Sequence, residues 1–439
     1  MRRRQALITL GGSLATLGGC AAVADSAGPS PTSNAMEPQV DIILDRRTRA
    51  LVDGDEDAWL SAVDASNPAL VARDRITFAN LRQLKPAIAR YRRLATPPTA
   101  ASPGRYASSL PRTSATYEVE LAIQLPEVDS APAAVRLRYV FGRVDDTVTL
   151  VDVARPVGAD PTEDQPWDSV PLRIHRRAGV LLAAQSGVTG VDALLTAATR
   201  AAREVRRAWV GNPASEAFAI FVAADRAAYR SWYGGLAPSW SDGITVPAPR
   251  ADGDTPDGRF AGVRVAVRAE PAGGSAYNAI KRQLGYALSV AMLSADPELR
   301  ALPGPAGETL NAPLWAVEGF AAYLVARDSA SARQRLRTDL RAARRATDQE
   351  PALPANTGFY ADGAREANAA LGCSVYEFVA ERHGHDRAVA LHLAAITRRT
   401  PDPQPPAAAL TAALTAAGLI DDPAATAFAA QWRRYVQRA

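Results

Sequence analysis

Residues 275–293, SAYNAIKRQLGYALSVAML, and residues 313–326, PLWAVEGFAAYLVA, predict a pair of helices. In both segments the apolar residues recur at the spacing of one helical face. Pro313 is well suited to the first turn of the second helix because its missing N–H is not needed there. Glu318 lies at the flank of the apolar face, where a buried carboxylate requires a partner. The two segments therefore predict packed helices with a charged group at their interface.

The second segment contains Trp315-x-x-Glu318-Gly319-x-x-x-Tyr323. This pattern resembles the glutamate helix of gluzincin-type zinc metallopeptidases, the peptidase-MA-like fold found in many bacterial lipoproteins. In that family the preceding helix carries H-E-x-x-H, whose two histidines bind zinc while its glutamate activates water. A glutamate from the next helix is the third zinc ligand, and Glu318 matches that position.

The matching positions of the first segment carry other side chains. When the two are aligned on Leu284, both histidines and the catalytic glutamate are replaced, by Arg282, Tyr286 and Gln283 respectively. The resemblance therefore implies a peptidase domain with a vestigial site and with neither a bound metal nor a cofactor. It also implies that Arg282 and Tyr286 face Glu318, where a guanidinium and a phenol can satisfy the carboxylate. The alternative is that Arg282 and Tyr286 belong to a solvated helix face.

The N-terminus has the features of a lipoprotein signal. Arg2, Arg3 and Arg4 precede a short apolar run, and Leu17-Gly18-Gly19-Cys20 resembles a lipobox. Residues 1–19 are therefore predicted to be a signal peptide, with Cys20 as the lipidation site and residues 20–39 as a flexible tether. An ordinary secretory signal with a cysteine by chance is the alternative, and the route, general secretory or twin-arginine, stays open. The prediction places the protein on the outer face of the bacterial cytoplasmic membrane, held there by its lipid.

Residues 40–156 are predicted to form a first α+β domain. Helical segments broken at Gly54 precede alternating strands at residues 117–125 and 135–141, and a turn at Asp145-Asp146 leads into a third strand. Helices followed by a curved antiparallel sheet resemble the NTF2-like cone, a fold that often encloses a ligand pocket. The same alternation also forms an ordinary sheet with one buried and one wetted face.

Residues 167–439 are predicted to form the degenerate peptidase-MA-like domain, after a polar, proline-bearing boundary at residues 157–166. A small sheet with strands at residues 170–175, 179–184, 217–223 and 261–269 leads to the helix pair, and a helical part completes the chain. Residues 248–259 read as a charged loop. The predicted fold class is α+β throughout.

Composition and motifs exclude several function classes. The net charge is +4 over 439 residues, lysine occurs only at Lys85 and Lys281, and the arginines form no basic stripe interleaved with aromatic residues, so no nucleic-acid partner is expected. The sequence contains no G-x-S-x-G, Walker or G-x-G-x-x-G motif. His383 and His385 flank Gly384 at a helix end, where a metal site lacks a third ligand at suitable spacing.

Three functions remain open. The first is a cell-surface lipoprotein whose catalytically inactive, metallopeptidase-like domain binds a peptide, an envelope component or a partner protein. The second is a small-ligand-binding or accessory lipoprotein that acts through the NTF2-like domain, and the third is an active envelope hydrolase that uses other residues. A groove above Arg282 flanked by an edge strand would favour the first function. A cavity in the first domain would favour the second.

Overall fold

The computed structural model describes residues 36–155, 162–209, 216–237, 241–251, 260–270, 276–294, 312–345, 350–361, 363–397, 405–420 and 425–438. The predicted signal peptide, Cys20 and most of the tether lie outside the described residues. Within them the chain is α+β, with a curled antiparallel half-barrel sheet, a second sheet and a helical C-terminal part, so the predicted fold class is confirmed.

Three helices open the described chain, and local signals set their ends. The first helix, α1 (Glu37–Asp53), ends where Gly54 adopts a left-handed φ of 81°, and the side chain of Asp55 caps the short α2 (Glu56–Leu60). Asn67 accepts the Leu70 amide at the start of α3 (Pro68–Leu84), in which proline occupies the first turn.

The half-barrel is an antiparallel sheet of five strands. Its order is β1-β3-β4-β5, with β2 paired to β3. Sequence analysis predicted three of these strands and missed β1 and β2. In β1 only Tyr91 is buried, and the arginines that surround it hide the alternation by which a strand is recognised. The strands are β1 (Ile88–Arg93), β2 (Thr99–Ala100), β3 (Ser114–Gln124), β4 (Ala133–Val144) and β5 (Thr147–Val153).

The second sheet is mixed and has the order β6-β7-β8-β10-β9. The three central strands β7, β8 and β10 run parallel, and an antiparallel strand flanks them on each side. The prediction of a charged loop at residues 248–259 was wrong for its first two residues, because Ala248 and Pro249 belong to the edge strand β9. Two prolines made that segment read as a loop, although an edge strand tolerates them. The strands are β6 (Leu172–Arg177), β7 (Val180–Gln185), β8 (Phe218–Ala223), β9 (Gly243–Pro249) and β10 (Phe260–Arg268).

Both faces of this second sheet are buried. On β8, Phe218, Ile220 and Val222 join the core beneath the helices, whereas Phe221 and Ala223 join the core of the half-barrel unit. The two predicted domains therefore share one apolar cluster across the sheet. A buried ion pair also joins the two units. The two terminal nitrogens of the Arg264 guanidinium donate hydrogen bonds of 2.6 and 2.7 Å to the carboxylate of Asp129 in the half-barrel.

The remaining helices surround the predicted pair, which is present as α7 and α8. The helical part predicted after the pair is present among the described residues as α9 to α13. None of the described helices is long and apolar enough to cross a membrane. The helices after α3 are α4 (Pro166–Ser169), α5 (Val191–Ala208), α6 (Arg226–Ser231), α7 (Ala276–Ser294), α8 (Leu314–Arg327), α9 (Ala330–Arg345), α10 (Arg365–His383), α11 (His385–Thr397), α12 (Pro406–Ala416) and α13 (Ala425–Arg438).

Two glycines bring α8 and α10 into close contact. A Cβ atom added to Gly319 would lie 2.4 Å from the carbonyl carbon of Gly372. A Cβ atom added to Gly372 would lie 2.3 Å from the carbonyl oxygen of Trp315. Because both obstacles are backbone atoms, no side-chain rotation relieves them. The position of α8, and therefore of Glu318, depends on this crossing.

We expect Gly319→Ala to lower the free energy of unfolding by about 1–3 kcal/mol, because the helices must separate to admit the methyl group. Alanine otherwise stabilises a helix interior by up to about 1 kcal/mol. The measurement is denaturant unfolding followed by circular dichroism. Gly285→Ala is the matched control, since its Cβ would meet only the flexible end of Leu324 at 2.9 Å. Equal stability of the two variants would contradict the prediction.

Candidate functional site

The candidate site lies where α7, α8, the loop before α10 and the edge strand β9 meet. Arg282 on α7 faces Glu318 on α8, and its Nη2 atom donates a hydrogen bond of 2.5 Å to Glu318 Oε2. The Glu318 side chain is only 6% exposed and the Arg282 side chain 25%. The ion pair that the sequence alignment predicted is therefore present, and the alternative of a solvated face is wrong for Arg282.

The charge state of Glu318 follows from its neighbours. Burial acts to raise the pKa of this carboxyl group, but the guanidinium groups of Arg282 and Arg365 outweigh it and hold the pKa below its ordinary value. Glu318 is thus an anion at neutral pH, although it lies between two helices. Its second oxygen, Oε1, accepts a hydrogen bond of 2.9 Å from the Tyr360 hydroxyl.

The predicted role of Tyr286 requires a correction. Tyr286 is buried, with 6% of its surface exposed, but its hydroxyl lies beside Tyr360 and makes no hydrogen bond to Glu318. Tyr360 donates to the carboxylate instead. Sequence analysis missed Tyr360 because it lies in an irregular loop, where no periodicity indicates which side chains point inward. Tyr360 thus contacts both the Tyr286 hydroxyl and the Glu318 carboxylate.

Arg365, in the first turn of α10, is a second cation at the site. Burial lowers the pKa of its guanidinium below the ordinary value, and repulsion from Arg282 acts in the same direction. Its ion pair with Glu366 is long, 3.6 Å, and the Glu366 side chain is 60% exposed, so solvent screens it. Two guanidinium groups therefore adjoin one buried carboxylate.

A small recess with room for about one water molecule lies between these residues and β9. Gln283 closes one side, because its Oε1 atom accepts a hydrogen bond of 2.9 Å from the Thr245 hydroxyl and so ties α7 to the edge strand. The structure thus brings all four predicted site residues, Arg282, Gln283, Tyr286 and Glu318, to one place. The recess is lined by Ser241, Gly243, Ile244, Thr245, Gln283, Tyr286, Glu318 and Arg365.

The other residues of the Trp315-to-Tyr323 pattern have packing roles. The Trp315 ring stacks on Tyr376 with centroids 6.3 Å apart. The Tyr323 hydroxyl lies 2.8 Å from His385 Nδ1, and the other ring nitrogen of His385 lies 2.7 Å from the carbonyl oxygen of Ala208. Both nitrogens of His385 therefore contact protein groups, which argues against the metal-site alternative at the histidine pair.

A serine–histidine contact that sequence analysis missed lies deeper in the helical part. Ser289 Oγ is 2.8 Å from His392 Nε2, and the Tyr376 hydroxyl is 3.3 Å from His392 Nδ1. Both Ser289 and His392 are at most 1% exposed, so no substrate can reach them. Burial lowers the pKa of His392 to about 3, which keeps the imidazole neutral. We assign this contact to the helix core and not to catalysis.

Comparisons with known proteins give no relative. No protein-family model, no curated protein and no solved structure matches this chain. Within the described residues, no group of three or more histidines, cysteines, aspartates or glutamates is arranged to hold a metal ion. The site joins an ion-paired carboxylate to a further hydrogen-bond donor, the Tyr360 hydroxyl.

The Arg282–Glu318 pair yields a stability prediction. We expect Arg282→Met and Glu318→Leu each to lower the melting temperature more than the double variant does, because each single change leaves a buried charge without its partner. The loss in a single variant should be about 3 kcal/mol in the free energy of unfolding. Thermal unfolding of the four proteins gives the coupling directly. Additive effects of the two substitutions would show that the ion pair contributes nothing.

Proposed function

We propose that this chain is an exported lipoprotein whose C-terminal domain is a degenerate gluzincin-like peptidase that binds a peptide or partner protein without cleaving it. One observation carries the proposal. Arg282 occupies the helix position at which the family has a zinc ligand, and its guanidinium lies on Glu318, the residue aligned with the third ligand. The resemblance and the ion pair thus concern the same two positions.

Charge and ligand number both disfavour a catalytic zinc ion at this site. A catalytic zinc ion requires three protein ligands with an open fourth position, and Glu318 supplies one. The Arg282 and Arg365 cations beside that carboxylate oppose the binding of a metal ion at the same place. The general base of the family is also missing. Gln283 stands at its position, and an amide side chain cannot accept a proton from water. Binding without hydrolysis is the function that this set of side chains favours.

The location outside the membrane rests on the sequence of the N-terminus alone. Cys20 follows a lipobox-like tripeptide, and the next described helix begins at Glu37. A tether of this length and composition lets the folded part stand away from the bilayer surface. The proposed protein is thus held at the outer face of the bacterial cytoplasmic membrane, with the helix pair free to meet partners there.

A second candidate function uses the half-barrel unit to bind a small ligand. Asp168 Oδ2 is buried, has no hydrogen-bond partner, and adjoins a recess beside Arg73. Against it, the Arg47 guanidinium fills the interior of the half-barrel, 3.8 Å above the Trp59 ring and paired with Asp74 at 2.5 Å. Because the Arg47 side chain and its cation–π contact occupy the space that a ligand would need, we rank this function second.

Restoring the ligand set tests the degenerate-peptidase assignment. We expect the purified protein to contain no stoichiometric zinc at the helix pair, and we expect the triple variant Arg282→His, Gln283→Glu, Tyr286→His to bind one zinc ion per chain. The two histidines then lie one helical turn apart opposite Glu318, which is the spacing that zinc requires. Elemental analysis after dialysis measures the metal content.

The control for this experiment is the single variant Arg282→His, which supplies only one new ligand and should retain no zinc. A folded triple variant that binds no zinc would contradict the assignment. So would zinc in the unaltered protein that is lost in Glu318→Gln, because the site would then be an intact metal centre.

The lipid anchor has its own prediction. We expect the mature protein to begin at Cys20 and its N-terminal fragment to carry the mass of a diacylglycerol group, whereas Cys20→Ser should leave the precursor unprocessed by the lipoprotein pathway. Mass spectrometry of the membrane fraction measures both. Cys373→Ser is the matched control, since Cys373 is buried in α10 and should have no part in anchoring. A membrane-bound Cys20→Ser protein without signal-peptide retention would argue against lipid as the anchor.

A further inference from the structure

We propose that α9 is a second membrane contact of this protein, which lays an arginine-covered helix face on the anionic headgroups of a lipid bilayer. This contact rests on the proposed location at the membrane and deepens it, because it names the surface of the folded part that meets the lipid. Three observations carry it: the spacing of the arginines on α9, the lack of described ion pairs on two of them, and the length of chain before the first helix.

The arginines of α9 fall on one side of the helix. Its sequence contains six arginines and one aspartate, a net charge of +5, whereas the whole chain carries only +4. Five of the arginines recur at intervals of three or four residues and lie within about 120° of the helix circumference. All five are exposed, and no acidic residue of α9 lies among them. They are Arg333, Arg337, Arg341, Arg344 and Arg345, which we call the basic stripe.

The buried residues of α9 explain why the basic stripe faces outward. Ala332 and Leu340 pack against the protein, so the opposite face of the helix has to lie at the surface. The apolar face is thus already occupied by protein contacts, and the basic stripe itself has no large apolar side chain. Helix α9 can therefore bind a bilayer through charge at the level of the headgroups, without entering the acyl region.

Two arginines of the basic stripe are available to a partner. Within the described residues, the side chains of Arg333 and Arg337 take part in no hydrogen bond and no ion pair. Glu377 on α10 attracts both of them through space, but it lies beyond ion-pair distance. A phosphate group can accept two parallel hydrogen bonds from a guanidinium. These side chains therefore match the headgroups of phospholipids.

The end of α13 extends the charged surface. Arg344 Nη1 donates a hydrogen bond of 2.8 Å to the carbonyl oxygen of Gln437, so the last turn of α9 contacts the last turn of α13. Arg434 and Arg438 of α13 are exposed and lie one helical turn apart. Positive charge therefore continues from the basic stripe onto a second helix.

The basic stripe points away from the candidate site. Asp339 lies on the flank of α9 opposite the stripe. Burial and the nearby Glu366 raise the pKa of Asp339, whereas Arg335 and Arg282 act to lower it, so this flank adjoins the residues of the site. A protein docked through the stripe therefore holds the Arg282–Glu318 pair on the far side of α9 from the bilayer, where a peptide or partner protein can reach it.

A lipid surface fits the basic stripe better than a nucleic acid does. The stripe contains no aromatic residue on which bases could stack, and it lies on one convex helix instead of in a groove that follows a strand. The predicted anchor also brings the membrane within reach, because a chain as long as that between Cys20 and Glu37 spans at most about 55 Å. Near an anionic lipid surface each arginine raises the partition coefficient about fivefold.

The test measures vesicle binding in the absence of the lipid anchor. Residues 20–439 with Cys20→Ser contain every described residue and cannot be acylated at position 20. Co-sedimentation measures their binding to vesicles of phosphatidylcholine alone and to vesicles in which phosphatidylglycerol replaces one third of it. We expect at least about tenfold tighter binding to the anionic vesicles at low salt. This preference should disappear at about 1 M salt, where the Debye length falls to about 3 Å.

Two double variants of equal charge make the experiment specific. Arg333→Gln with Arg337→Gln removes two exposed charges that make no described ion pair, and we expect about a tenfold weaker affinity for the anionic vesicles. Arg203→Gln with Arg207→Gln is the matched control, because these two arginines are also exposed and four residues apart, but lie on α5. It should bind both kinds of vesicle like the unaltered protein. Thermal unfolding shows whether each variant is folded.

The possible results separate the α9 contact from the proposed lipid anchor. Equal binding to neutral and anionic vesicles, or equal losses in the two double variants, would overturn the α9 contact. So would tighter binding to double-stranded DNA than to anionic vesicles at equal phosphate concentration, which would indicate a nucleic-acid partner. An unaltered Cys20 without diacylglycerol would contradict the anchor and leave vesicle binding by α9 in place. A lipidated protein whose Cys20→Ser form ignores anionic vesicles would contradict only the α9 contact.

Discussion

The structure depends on a single constraint: the second sheet must be covered on both of its faces. Along β8 the residues that face the helices and those that face the half-barrel are all buried, so neither layer can be removed without exposing apolar side chains to water. A parallel arrangement of β7, β8 and β10 is usual for strands buried in this way. The helix pair α7 and α8 is positioned by that layer, and the half-barrel acts as the second cover of the same sheet.

Burying charged groups at these contacts creates a second requirement, that every buried charge meets an opposite one. Arg264 and Asp129 satisfy it between the sheet and the half-barrel, and Arg73 and Asp168 do so at 3.1 Å nearby. The Arg282–Glu318 pair obeys the same rule between two helices. Such pairs contribute little net stability compared with apolar residues of the same volume, but removing one partner is costly. They therefore specify how the layers fit together more than they strengthen the fold.

The sequence predicted the helices and strands whose apolar residues recur with a strong period. It also predicted the contact between Arg282 and Glu318, through the alignment of the helix pair. Helices α7 and α8, four of the five strands of the second sheet, and the Arg282–Glu318 ion pair were all accessible in this way. The edge strand β9 was not, because its prolines mask the alternation. Nor was Tyr360, since loops have no period from which an inward direction can be read. The shared core was also missed, because periodicity within one strand does not reveal which distant segment covers its second face.

The geometry of the site shows how two packed helices can hold a buried carboxylate. The close approach of Gly319 and Gly372 fixes α8 against α10 whatever the side chain at position 282. The Arg282 guanidinium then donates to one oxygen of Glu318, and the Tyr360 hydroxyl donates to the other. Tyr286 does not bond the carboxylate itself, because its hydroxyl lies beside Tyr360. The glycines thus set the distance between the helix backbones, and the charges specify which side chains meet across it.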